Sequence, residues 1–217
     1  IIGANTVDVK TGKPYLKPYV IFKRDGVKIA VLGMITPAIP AWLAENLWAG
    51  LRFDDMVETA RKWIPIIQEK EKPDLIIGLF HAGQDMSHNV AGYVENASLE
   101  VARLVPGFDI VLFGHDHRRE YRTITNVDGK QVLLANGAVN GIAASNIEID
   151  FTIQDGKVVN KTISGNLEEM SKYEPDPHFL AHFYKQYNEV QKFVSKKIGY
   201  NTNTISLKDS YFGSSAF

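Results

Sequence analysis

Two short apolar segments that each end in histidine constrain the fold of this chain more than any other feature. The first runs from Asp74 to Phe80 and is followed by His81-Ala82-Gly83. The second runs from Phe108 to Phe113 and is followed by Gly114-His115-Asp116-His117. Both segments are continuously apolar and rich in β-branched or aromatic residues, which predicts strands that are buried on both faces.

A helical pattern of apolar residues between Glu95 and Pro106 separates the two predicted strands. Strand, helix and strand within about 35 residues fit one βαβ unit, in which the two strands are parallel. Parallel strands place their carboxyl ends at one edge of the sheet, and open α/β sheets bind ligands at that edge. We therefore expect His81, His115 and His117 to converge there.

The His-x-His spacing after the second strand suits metal binding. In an extended segment, alternate residues point to the same side, which predicts that His115 and His117 project together while Asp116 points away. Neutral imidazole is the commonest metal-binding side chain. Short motifs of this kind also occur by chance in polar loops. The position of the motif at a strand end is what favours its interpretation as a pair of ligands.

The other histidines are weaker candidates. His88 lies in a loop just beyond His81 and is the one residue that we consider for substrate contact. His178 and His182 are four residues apart on a predicted helix, without an obvious acidic partner, and we interpret them as surface or packing residues. Asn5 resembles a metal-binding asparagine in its position beside a strand, but we interpret it as structural.

The composition excludes several classes of protein. A formal net charge of −1 gives no electrostatic basis for binding a nucleic-acid polymer. No apolar run approaches the roughly 20 residues needed to cross a bilayer, so no membrane span is predicted. Because the chain has no cysteine, disulfides and thiolate ligands are excluded, and any metal must be held by His, Asp, Glu or Asn.

Patterns elsewhere complete the predicted organisation. A hairpin with an Asp25-Gly26 turn occupies residues 18–36, and a helix capped by Asp54-Asp55 ends before Pro73. Alternating segments from Thr123 to Val159 predict an antiparallel second half, and a helix follows from about Asp176 to Lys197.

Taken together, these motifs resemble the second half of a calcineurin-like metallophosphoesterase domain. The resemblance is to the branch that holds bacterial 5′-nucleotidases and 2′,3′-cyclic-nucleotide 2′-phosphodiesterases (3′-nucleotidases). The late motifs of that family stand here as His81-Ala82-Gly83 and Gly114-His115-Asp116-His117. The residues most similar to the cyclic phosphodiesterase subgroup are Pro40, Trp42, Glu95-Asn96-Ala97 and Val105-Pro106-Gly107-Phe108-Asp109.

The resemblance implies an α/β fold, the second half of a four-layer α/β/β/α metallophosphoesterase sandwich with mixed sheets, followed by a long linker helix. It divides the chain into three regions. Residues 1–165 correspond to the C-terminal half of the metallophosphoesterase domain, 166–198 to a linker with the long helix, and 199–217 to the start of a C-terminal nucleotide-binding domain. The sequence opens on Ile1 and closes on a polar, hydroxyl-rich tail, and we interpret it as a fragment at both ends.

The implied activity is metal-dependent hydrolysis of a nucleotide phosphoester, by a 5′-nucleotidase or a cyclic-nucleotide phosphodiesterase. Two divalent ions (Mn, Zn, Co or Fe) would provide a hydroxide that attacks phosphorus. Carried over by position, His81 and His115 ligate one ion and His117 the other. The implied partner is a nucleotide or cyclic nucleotide substrate, and the implied location is the periplasm or the cell surface.

Half of the family's site is not found in this sequence. No strand ends in Asp-x-His, Gly-Asp or Gly-Asn-His, the motifs that would supply the remaining ligands and the histidine that assists the leaving group. We therefore assign no catalytic residue within this chain, expect those motifs upstream, and expect the fragment alone to be nearly inactive.

Two alternatives stay open. One is a degenerate, non-catalytic binding module that keeps the same fold. The other is a hydrolase with a single ion bound by His81, His115 and His117. A purely structural role is disfavoured, since it leaves the convergence of the histidines unexplained.

Overall fold

The computed structural model describes residues 1–85, 89–200 and 202, so His88, the candidate for substrate contact, lies outside the described residues. The chain divides into two compact units, of which the first spans Ile1–Lys172 and the second begins at Tyr173. Within the described ranges, no helix combines the length and apolar character needed to cross a bilayer.

Sixteen helices and strands form within these ranges, and two short 3₁₀ turns occur at Glu45–Leu47 and Met170–Lys172. In chain order the helices and strands are β1 (Thr6–Asp8), β2 (Tyr19–Arg24), β3 (Val27–Ile35), α1 (Ile39–Trp42), β4 (Leu51–Phe53), α2 (Met56–Glu71), β5 (Leu75–His81), β6 (Asn89–Val90), β7 (Tyr93–Val94), α3 (Ser98–Leu104), β8 (Ile110–Phe113), β9 (Arg119–Thr125), β10 (Gln131–Gly137), β11 (Ala143–Gln154), β12 (Lys157–Glu169) and α4 (Pro177–Val194).

A six-stranded mixed sheet in the order β2-β3-β5-β8-β10-β9 organises the first unit. Strands β5 and β8 are parallel neighbours, with Ile77 opposite Ile110 and Phe80 opposite Phe113, which confirms the predicted βαβ unit. The predicted β2–β3 hairpin is also confirmed. Its turn residues Asp25 and Gly26 both have positive φ, as the favoured two-residue hairpin turns require.

The prediction of an antiparallel second half is wrong for one strand. Strand β10 pairs antiparallel with β9, and β11 pairs antiparallel with β12. On its other side, however, β10 pairs parallel with β8, with Leu133 opposite Ile110. The reason is that β10 lies between β8 and β9, so the sheet keeps four parallel strands before it ends on the antiparallel edge strand β9.

Helices cover one face of this sheet. Helix α2 begins at the N-cap Asp55, whose side chain accepts a hydrogen bond from the backbone N–H of Glu58. Its buried face then meets the sheet in the main core, as the helical spacing predicts. The core residues contributed by α2 are Met56, Ala60, Ile64 and Ile67.

The hairpin of β11 and β12 covers the opposite face. Ile147, Ile149 and Phe151 pack against a second core formed by Leu75, Ile110 and Leu133. Helices, mixed sheet and hairpin therefore form successive layers, and the α/β class with mixed sheets is confirmed.

The second unit contains the long helix α4. Asp176 caps it by accepting hydrogen bonds from the backbone N–H groups of His178 and Phe179. The helix ends at Val194, slightly before the predicted end. His178 and His182 are exposed on it. The proposed domain boundaries at 165 and 198 stay predictions.

Candidate metal centre

The ends of β5 and β8 bring two of the candidate histidines together. His81 is the last residue of β5, and its carbonyl accepts a hydrogen bond of 2.9 Å from the backbone N–H of Thr36. His115 lies two residues beyond the end of β8. The ring centroids of His81 and His115 are 5.3 Å apart, with the rings inclined at 63°. Two imidazoles therefore meet at the carboxyl edge of the parallel strands.

The segment that carries His115 and His117 is not extended, so that prediction is wrong. His115 has a φ of 78° and His117 a φ of 58°, both in the left-handed region that non-glycine residues seldom adopt. The simple alternation of an extended segment does not apply to such a backbone. Instead, a tight turn follows β8 directly.

Hydrogen bonds of Asp116 hold this turn in place. Its Oδ1 accepts from the side-chain amide of Asn136 at 2.8 Å, and its Oδ2 accepts from the backbone N–H of Gln84 at 3.0 Å. Asn136 is buried at the end of β10, and Gln84 lies just after β5. The Asp116 side chain therefore ties the turn after β8 to the ends of β5 and β10, the two strands that flank β8.

The glycine of the His-x-Gly motif is required by a close approach. A Cβ on Gly83 would lie 2.7 Å from Cγ of Asn96 and 2.8 Å from Cβ of Asp116. The Gly83 N–H donates a hydrogen bond of 2.7 Å to Oδ1 of Asn96. Gly83 thus lets the loop after β5 pack against both the turn after β8 and the segment before α3.

The surroundings of His81 favour the neutral form of its imidazole. Partial desolvation lowers the pKa of its imidazole, and the nearby His115 and His117 lower this pKa further by charge repulsion. A lowered pKa favours the neutral ring, whose free nitrogen lone pair can bind a cation. His117 is exposed, and its assignment to the site stays a prediction.

Two residues that the sequence analysis did not assign to the site contact His115. Oε1 of Glu95 lies 2.7 Å from Nε2 of His115. On another side, the ring of Trp42 lies 5.3 Å from the His115 ring, centroid to centroid, with an angle of 33° between the planes. The available signal was the match of Glu95 and Trp42 to the cyclic phosphodiesterase subgroup, which gives no chemical role for either residue.

The donor set fits a divalent cation, although the site is incomplete. Imidazole nitrogen suits Zn and Fe, whereas Mn prefers oxygen ligands such as carboxylates. Among the residues that the structure describes, no group of three or more His, Cys, Asp or Glu side chains has the arrangement of a complete metal site. Within the described part of the chain, the paired rings of His81 and His115 are therefore candidate ligands, and no carboxylate is found beside them in an arrangement that could bridge two ions.

Asn5 takes no part in this cluster, as predicted. It is fully buried, and its side-chain amide donates to the carbonyls of Ile35 and Asp54 at 2.6 and 3.0 Å. Its Oδ1 accepts from the backbone N–H of Ile35 at 3.0 Å. With these bonds made, Asn5 joins the end of β3 to the segment before α2 and is structural.

Known proteins with similar sequences are nucleotide phosphoesterases. The chain is 33% identical over 156 residues to a 2′,3′-cyclic-nucleotide 2′-phosphodiesterase/3′-nucleotidase of Yersinia enterocolitica, covering 66% of this chain and 23% of the relative. It is 36% identical over 119 residues to a 5′-nucleotidase of Vibrio cholerae, covering 53% of this chain and 21% of the relative. The chain therefore spans less than a quarter of the length of these two relatives. No protein-family profile matches it.

The fold comparison agrees with the sequence comparison. The crystal structure of the calcineurin-like phosphoesterase YfkN from Bacillus subtilis superposes with a TM-score of 0.70 at 23% identity, covering 90% of this chain and 64% of that one. At this identity the likeness concerns the fold alone. By sequence and fold together, the chain is a homologue of the bacterial 2′,3′-cyclic-nucleotide 2′-phosphodiesterases/3′-nucleotidases and 5′-nucleotidases, with part of the calcineurin-like phosphoesterase fold.

Proposed function

We propose that this chain supplies His81, His115 and His117 to the dinuclear metal centre of a nucleotide phosphoester hydrolase. The observation that carries the proposal is the approach of the His81 and His115 rings to 5.3 Å at the carboxyl edge of two parallel strands. The names of the homologues favour a 5′-nucleotide or a 2′,3′-cyclic nucleotide as substrate. A location in the periplasm or at the cell surface belongs to the same proposal.

In this proposal the three histidines bind the metal ions, and Asp116 and Gly83 hold the histidines in place. His81 and His115 would hold one divalent ion through imidazole nitrogen, and His117 would hold the second. Bound in this way, the ions would supply positive charge to the phosphate and lower the pKa of a water molecule. Asp116 holds the turn that carries His115 and His117, and Gly83 lets the loop after His81 pack against that turn.

The remaining ligands are proposed to come from a part of the protein outside these 217 residues. The chain contains no Asp-x-His, Gly-Asp or Gly-Asn-His at a strand end, and it spans less than a quarter of two homologous enzymes. We therefore propose that the chain alone is nearly inactive.

The test is hydrolysis of 2′,3′-cyclic AMP and of 5′-AMP with Mn²⁺, before and after chelation. It compares this chain with a form extended upstream by about 100 residues, enough to add the missing half of the metallophosphoesterase domain. We expect turnover by the extended form alone, abolished by chelation and by His117→Ala. The matched control is His178→Ala, since His178 is exposed on α4 in the second unit.

Two other results would contradict the proposal in different ways. Equal activity of the short chain would show that its own histidines complete the site, as a single-metal hydrolase requires. Absence of turnover in both forms, combined with absence of metal binding, would favour the non-catalytic module.

A further inference from the structure

We propose that Glu95 is a positioning residue for the metal centre, and that it fixes His115 so that Nδ1 is the nitrogen offered to a divalent cation. The inference rests on the proposed function, because it takes His115 to be a ligand. In this inference Glu95 does not bind the ion itself. It determines which ring nitrogen of His115 binds the ion.

The contact between the two side chains defines the tautomer of His115. Oε1 of Glu95 lies 2.7 Å from Nε2 of His115. A carboxylate can only accept a hydrogen bond, so the imidazole must carry its hydrogen on Nε2. In the neutral ring the lone pair is then on Nδ1, and a metal binds the nitrogen that has the lone pair.

Low exposure strengthens this contact. The side chain of His115 is 21% exposed and that of Glu95 is 18% exposed. A hydrogen bond to a charged group is stronger than a neutral one, and reduced access of water preserves that difference. Water therefore competes only weakly for the hydrogen bond between Glu95 and His115.

The segment that directly follows Glu95 is tied to the loop after the strand that carries His81. Asn96 accepts a hydrogen bond from Gly83, as described above. Ser98 binds the same loop twice, through its N–H to the carbonyl of Gly83 at 3.0 Å and through its hydroxyl to the carbonyl of Ala82 at 2.9 Å. Glu95 is therefore anchored on its C-terminal side to the loop after β5, and through Glu95 the ring of His115 is oriented relative to His81.

Trp42 restricts the ring of His115 on another side and provides a spectroscopic probe. The hydrogen bond of Glu95 acts at one edge of the imidazole, whereas the indole lies against the ring at 5.3 Å. Ligating histidines in metalloproteins are commonly fixed through their second nitrogen by a carboxylate, and loss of that partner lowers metal affinity about 10- to 100-fold. A paramagnetic ion on His115 would lie close enough to Trp42 to quench its fluorescence.

The first measurement is a titration of this 217-residue chain with Co²⁺, followed by the fluorescence of Trp42 and corrected with a Trp42→Phe variant. Glu95→Gln keeps the size of the side chain and removes its charge, and we expect a loss of affinity of about 10- to 100-fold. Glu45→Gln is the matched control, because Glu45 is exposed in a nearby 3₁₀ turn, and it should bind Co²⁺ like the wild type.

The second measurement reads the tautomer without metal. Nitrogen-15 NMR of histidine-labelled chain at mildly alkaline pH should show His115 with its hydrogen on Nε2, assigned by loss of the signals in His115→Ala. Glu95→Gln should shift this tautomer equilibrium. If Glu95 had only a structural role, the equilibrium would be the same in the variant as in the wild type. Observation of the Nδ1–H tautomer in the wild type would overturn the proposal even if the variant failed to fold.

The outcomes separate this inference from the proposed function. If Co²⁺ binding depends on His81 and His115 but is unchanged in Glu95→Gln, the positioning role is wrong and the proposed function stands. If Co²⁺ binding is unaffected by His81→Ala and His115→Ala, the proposed function is wrong. The positioning role of Glu95 is then also wrong, because it requires His115 to be a ligand.

Discussion

Asn136 donates a hydrogen bond of 2.8 Å from its side-chain amide to Oδ1 of Asp116, and this bond joins the end of β10 to the turn that carries His115 and His117. The turn needs such support, because both histidines have positive φ. Backbone of this kind costs of order 1–3 kcal/mol per residue and persists where the surroundings determine it. Asp116, the residue between the two histidines, therefore stabilises the turn from which they project.

Removal of the Asp116 carboxylate should therefore destabilise the chain. In Asp116→Ala, the buried amide of Asn136 and the N–H of Gln84 lose their acceptors, at an expected cost of about 1–3 kcal/mol in the free energy of unfolding. Urea denaturation measures this cost. Asp150→Ala, at an exposed position in β11, is the control. Equal denaturation midpoints for Asp116→Ala and the wild type would show that the turn does not depend on these bonds.

The two glycines of the histidine motifs should respond differently to substitution. Gly83→Ala places a Cβ at 2.7 Å from Cγ of Asn96 and 2.8 Å from Cβ of Asp116, so the surrounding loops must shift. We expect a loss of about 1–3 kcal/mol of stability from such overpacking, together with weaker Co²⁺ binding. Gly114→Ala is the matched control, since an added Cβ there meets nothing within 4 Å. Thermal and urea denaturation of both variants would contradict this account if Gly114→Ala proved the more damaging.

Glu100 should make the stability of the chain depend on pH. Burial raises the pKa of its carboxyl above the ordinary value of 4.5. Among the described residues, no hydrogen-bond partner reaches its buried Oε2. Because the folded chain holds this proton more tightly than the unfolded chain, the contribution of Glu100 to stability is greatest in acid and is lost as the pH rises through the raised pKa.

Glu100→Gln should accordingly be more stable than the wild type at neutral pH, by about 1 kcal/mol, with the difference vanishing in acid. Urea denaturation over a range of pH values measures the difference. Glu69→Gln, at an exposed position on α2, should give a curve parallel to that of the wild type. A parallel curve for Glu100→Gln as well would mean that burial of this carboxyl has no energetic consequence.

The sequence predicts the positions of the strand ends well because local patterns determine them. Continuous apolar residues before His81 and before Gly114 identify β5 and β8, and the length between them makes the strands parallel neighbours. The Asp25-Gly26 turn and the Asp55 cap are equally local signals. For these elements, the hydrophobic period and the turn chemistry agree with the tertiary structure.

Features that depend on distant partners could not be predicted in this way. The left-handed turn at His115 and His117 is supported by Asn136 and Gln84, neither of which is a neighbour in sequence. The predicted helix from Glu95 to Pro106 forms only over Ser98–Leu104. The side chains of Glu95 and Asn96 bind His115 and Gly83, and this holds the preceding segment outside the helix.

The most direct test of the metal centre is a crystal structure of the upstream-extended protein grown with Mn²⁺, with anomalous diffraction recorded for the metal. We predict two anomalous peaks at the carboxyl edge of β5 and β8, one bound by His81 and Nδ1 of His115 and the other by His117. Anomalous peaks elsewhere in the protein, or none at these histidines under saturating Mn²⁺, would contradict the account.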